Sequence, residues 1–82
     1  MTIKEMRNKI NEIGWEIGNK YGMNIKLKAY KLQTEILING GYSKKYCRLY
    51  LQNNARKEQV KDYLESWLIV VDMLDLNLNC LK

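Results

Sequence analysis

Ile3, Met6, Ile10, Ile13 and Ile17 recur at spacings of three and four, and that period lines one side of a helix. Thr2 precedes the run as an N-cap and Glu5 follows it by three, the arrangement of a capping box. Tyr21 closes the run and Gly22 is a stop signal, so a helix over residues 3–21 is predicted. Gly14 and Gly18 weaken that helix by about 1 kcal/mol each relative to alanine. Four apart, they share a face, where another element of the same fold is expected to pack closely.

From Asn24 the apparent period changes to two. Ile25, Leu27 and Ala29 alternate with Lys26, Lys28 and Tyr30, which predicts a strand over 24–31. A second apolar run gives a strand over 34–39. It leads into Asn39-Gly40-Gly41, whose residues accept the positive φ of a tight hairpin. A third strand over 42–52 places Cys47, Leu49 and Leu51 on one side. Lys31 to Thr34 carries no clear turn residue, and residues 27–38 also fit a second helix capped by Gly40. Val60, Tyr63, Leu64, Trp67, Leu68, Val71 and Leu74 then form a broad stripe, predicting a helix over 55–74 with Asn53 or Asn54 as cap. Leu74, Leu76, Leu78 and Cys80 return to a period of two, so the tail 75–82 reads as a short strand or a helix end.

The expected order is α-β-β-β-α in a single domain: an α+β fold with both helices on one face of a small antiparallel sheet. Ile25, Leu27, Ala29, Ile36, Ile38, Cys47, Leu49 and Leu51 would point inward, and the opposite sheet face would meet water.

Charge sharpens this picture. The 82 residues carry a net charge of +5, and residues 22–48 alone hold six cations against Glu35. Such a local field attracts phosphates or acidic protein surfaces. The N-terminal stretch lacks the apolar core of a signal peptide, no apolar run is long enough to span a bilayer, and two cysteines form no disulfide framework. A reduced, cytoplasmic setting is expected.

Chemistry is sparse. Histidine is absent, which removes the commonest general base and metal ligand. Cys47 and Cys80 are too far apart in sequence for a zinc spacing. Gly40-Gly41 lacks the context of a phosphate loop. No catalytic residues, metal or cofactor are expected, and the chain reads as a non-enzyme.

What remains is a surface. In the hairpin, Tyr42, Lys44, Tyr46, Arg48 and Tyr50 share one side, joined by Lys26, Lys28 and Tyr30 of the first strand. Aromatic planes among cations suit unpaired bases and their phosphates. Tyrosine and arginine also anchor protein interfaces, so an acidic protein patch fits the same face.

The α-β-β-β-α order resembles that of the double-stranded RNA-binding domain over most of the chain. That family holds phosphates with cations at the start of its last helix, which implies secondary contacts for Arg56, Lys57 and Lys61. In its shortness and its Lys/Asn/Ile-rich composition the chain is also similar to small proteins of phages and mobile elements, anti-CRISPR and other anti-defence inhibitors among them. That likeness implies a host protein or ribonucleoprotein complex as partner. Direct binding of RNA or single-stranded DNA is the alternative, and homodimerisation through residues 74–81 is a third.

Overall fold

Gly22 stands at φ +91° between two helices, α1 (Ile3–Tyr21) and α2 (Met23–Asn39). Glycine adopts that conformation without steric cost, so one residue suffices to reverse the chain. The Gly22 N–H donates to the Gly18 carbonyl at 3.1 Å, and the Gly22 carbonyl accepts from the Lys26 N–H at 3.1 Å. One residue thereby satisfies an orphan carbonyl of α1 and an orphan N–H of α2. The structure, a computed structural model, describes residues 1–49 and 54–82, with the backbone alone at 48 and 49.

Two further helices follow, α3 (Lys44–Leu49) and α4 (Lys57–Met73), and a short 3₁₀ turn covers Asn79–Leu81. Every element among the described residues is helical. The expected α+β sheet is therefore corrected to a small helical bundle. The strands expected over 24–31 and 34–39 lie within α2, and the described part of the strand expected over 42–52 enters α3. The order behind the resemblance to the double-stranded RNA-binding domain is thus absent from the described residues.

The physical reason lies in the short window over which periods two and 3.6 look alike. Ala29, Gln33 and Leu37, four apart, are the buried residues of α2, with Ile25, Leu32 and Ile36 packed beside them. Leu27, expected to point inward from a strand, is 60% exposed. Gly40 caps α2, its N–H donating to the Ile36 carbonyl at 3.0 Å, as the helical alternative for 27–38 required.

α1, α2 and α4 pack pairwise around a core that includes Ile13, Ile17, Val60, Tyr63 and Trp67. Gly14 faces Tyr30 and Gly18 faces Lys26, so α1 and α2 run antiparallel. Gln33 meets Ser66 and Tyr30 meets Trp67, which makes α4 antiparallel to α2 and parallel to α1. Thr2 and Glu5 form the expected capping box of α1.

α4 ends in a Schellman arrangement. Asp75 takes φ +53°, the Leu76 N–H donates to the Val71 carbonyl at 2.9 Å, and the Asp75 N–H donates to that of Asp72 at 3.1 Å. The tail then folds back along α1, with Leu78 buried. Polar groups of α1 hold it there: the Glu16 carboxylate accepts from the Asn79 and Cys80 N–H groups, Lys9 donates to the Cys80 carbonyl, and Lys20 donates to that of Asn77. Among the described residues, no helix is long and apolar enough to cross a membrane.

Candidate functional site

Ser43 starts α3. Its hydroxyl accepts the Tyr46 N–H at 3.1 Å, the bond an N-cap makes to the third helical residue. Tyr42 and Tyr46, four apart, then stack ring on ring, centroids 4.5 Å apart and planes inclined by 24°. The Tyr42 hydroxyl donates to the Asp62 carboxylate, tying this segment to α4. Burial, with Asp62 nearby, pushes the Tyr46 hydroxyl up to about 12. Burial and the Asp62 hydrogen bond push that of Tyr42 further above its ordinary value. Both rings are half-buried. They are spent largely on each other and on the fold.

Beside them, a cleft of about 430 Å³ opens between the start of α3 and the start of α4. Lys45, Tyr46, Asn54, Arg56 and Gln59 line it, together with Ser43 and Ala55. Arg56 is the N-cap of α4, and the Gln59 side-chain oxygen accepts its N–H at 2.8 Å. Arginine carries no acceptor, so the return bond of a capping box cannot form. α4 thus opens with Arg56, Lys57 and Lys61 at the end where the helix dipole already adds positive potential, with Glu58 the one acid of its first turn. Met1, Met6, Lys57 and Lys61 line one neighbouring groove, which puts the start of α1 at the same end of the bundle.

The charge is polarised along the chain. Residues 42–61 hold six cations and one acid, whereas residues 62–81 hold four acids and no cation. Lys44, Lys45, Arg56, Lys57 and Lys61 are all exposed. Lys45 and Arg56 line the cleft, and Lys57 and Lys61 line the neighbouring groove together with Glu65, at one end of the bundle.

Among the described residues no sheet carries the face expected for these eight, and those whose side chains are described are dispersed. Lys28 is exposed on α2, while Lys26 is half-buried with its chain against Gly18. Tyr30 stays exposed but sets its ring edge-on to that of Trp67 at 5.0 Å. Within α3 Lys44 lies roughly 200° round from Tyr46, so the alternating register does not make a common surface. Arg48 has its backbone in α3, and Tyr50 lies outside the described residues. What the structure does bring together is Lys45 and Tyr46 with Arg56. Lys45 and Gln59 were not among the expected site residues and Asn54 was expected only as a possible cap, a place that Arg56 takes; the i, i+3 spacing of Arg56 and Gln59 was the available signal.

Among the described residues, no three His, Cys, Asp or Glu side chains are placed to hold a metal ion. Cys47 and Cys80 are free thiols, each raised by burial. Comparison with protein families, with curated proteins and with solved structures gave no match.

Proposed function

We propose that the protein is a non-enzymatic, cytoplasmic binding protein that occludes a host nucleic-acid-handling complex by seating its basic end on an anionic surface. One observation carries the reading: exposed Lys45 at the start of α3 and exposed Arg56 at the start of α4 line one cleft. Cations so placed speed approach to anionic partners and fix their orientation. The absence of histidine supports a binding role over a catalytic one. The likeness of the chain to small phage anti-defence inhibitors supports a ribonucleoprotein or protein target.

The stacked tyrosines weigh between this reading and direct binding of unpaired bases. Base stacking needs an open ring face, and Tyr42 and Tyr46 present theirs to each other. An acidic or phosphate-bearing surface needs only the cations.

Capture from a bacterial lysate, with and without nuclease, tests the proposal. A nuclease-resistant partner that is lost with the double variant K45E/R56E is the expected result. Recovery that disappears on nuclease treatment would replace this reading with direct nucleic-acid binding. Capture indifferent to both substitutions would remove the basic end from the interface.

A further inference from the structure

Trp15 lies on the side of α1 opposite Ile10, Ile13 and Ile17, and it is 68% exposed. A tryptophan so placed leaves a large aromatic plane in water without a partner in the fold. It is not surrounded by bare surface. Between its ring and the returning tail lies a cleft of about 490 Å³, with Asn79 and Cys80 on the far side and Glu12 and Asn19 beside the indole.

The walls of this cleft are fixed by hydrogen bonds. Both Glu16 oxygens accept backbone N–H groups of the tail, at Asn79 and Cys80, and the Cys80 thiol, together with these N–H groups, holds its carboxyl below the usual range. The Asn19 side-chain amide donates to the Trp15 carbonyl at 2.8 Å. Lys20 donates to the Asn77 carbonyl and lies 5.8 Å from the Tyr21 ring centroid, so its charge is directed at the tail. Glu12 takes part in none of these bonds. The cleft therefore offers an indole face and, one helical turn away, a carboxylate not engaged by the tail.

An aromatic plane with a neighbouring carboxylate is the chemistry that receives a cation. We infer that the Trp15–Glu12 cleft binds the guanidinium of an arginine presented by a partner protein. The planar, weakly hydrated guanidinium stacks on indole and pairs with a carboxylate at once, which a compact ammonium does less well. Charge is local here: Lys9 and Lys20 are directed at tail carbonyls and Glu16 at tail N–H groups, which leaves Glu12 as the lining charge open to a ligand, whereas the chain as a whole is at +5. General electrostatics thus opposes cation binding, and any that occurs is owed to this cleft. The ligand is opposite in charge to the one proposed for the basic end, so the two sites stand or fall separately.

The two tryptophan indole N–H signals in a nitrogen-15 correlation spectrum give the readout, since Trp67 is buried and serves as an internal reference. The probe is an arginine–glycine peptide at millimolar concentration and low salt, compared with the same peptide carrying neutral citrulline. The arginine peptide should shift Trp15 saturably, and the citrulline peptide should not. E12Q should raise the half-saturation concentration roughly threefold to fivefold, the scale of one exposed cation–π or ion-pair contact. W15A should abolish peptide-induced shifts at Asn79 and Cys80 while leaving Trp67 in place. Equal shifts with citrulline, no shift with arginine, or an unchanged titration in E12Q would each overturn the inference.

Discussion

Tyr30 places its hydroxyl 3.5 Å from where a β-carbon on Gly14 would stand. That is ordinary van der Waals distance, so Gly14 makes room for the tyrosine without being strictly required by it. G14A adds one methyl at the contact and removes a helix-breaking residue from α1. It should stabilise the fold by about 0.5–1 kcal/mol. G14V should lose that gain by pressing on Tyr30, and urea unfolding of the two variants separates the effects.

Gln33 and Ser66 form a polar contact inside the α2–α4 interface, the Gln33 amide donating to the Ser66 hydroxyl at 3.0 Å. Ser66 in turn donates to the Tyr63 carbonyl, while the Gln33 side-chain oxygen has no partner among the described residues. S66A should therefore cost about 1–3 kcal/mol by leaving the buried amide unpaired. Replacing both residues, Q33M with S66A, should recover most of that loss. A double-mutant cycle by chemical denaturation checks it, and simple additivity would rule out the coupling.

Glu16 ties the tail to α1, and its folded carboxyl lies below its ordinary value of 4.5. A carboxylate depressed by folding contributes stability that is present above its unfolded pKa and lost as pH falls through its folded value. Hydrogen exchange at the Asn79 and Cys80 amides, scaled to the intrinsic rate, should lose protection below that range. E16Q should show weakened protection already at neutral pH. The interior of α4 should stay protected in both cases.

Tyr42 and Tyr46 give the opposite sign. Folding raises both hydroxyls, Tyr46 to about 12 from an ordinary value of 10.0. The protonated rings then stabilise the fold fully below the unfolded value, and this contribution fades as pH climbs through the folded one. Ultraviolet titration should find these two tyrosines ionising above the ordinary tyrosine range, with α3 detaching as they do. Y42F should leave Asp62 without its donor, costing about 1 kcal/mol near neutrality, while Tyr46, still covered by the ring, keeps its alkaline delay.

α1 and α4 were legible because their apolar residues keep helical spacing over several turns, long enough to exclude other periods. α2 was obscured by Lys26, Lys28 and Tyr30 alternating with Ile25, Leu27 and Ala29, a stretch too brief to discriminate. Its decisive residue is Gln33, a polar side chain buried at the position an apolar one would have marked. The candidate site was half visible. The excess of cations in the middle of the chain was plain, and so were Arg56, Lys57 and Lys61. The partnership of Tyr42 with Asp62 was not, because a twenty-residue separation leaves no local signature. Ser43 was readable as a helix cap, yet the preceding glycines invited a hairpin instead.

The division between six cations in one stretch and four acids in the next concentrates positive charge where α3 and α4 begin, on a molecule that is already a net cation. A body with that asymmetry is turned before it touches: a charged surface exerts a torque on it at a distance of about one Debye length, ~8 Å in physiological salt. Arrival is then pre-aligned, and most collisions present the same end. Added salt should slow such an encounter well before it shortens the lifetime of the complex that results.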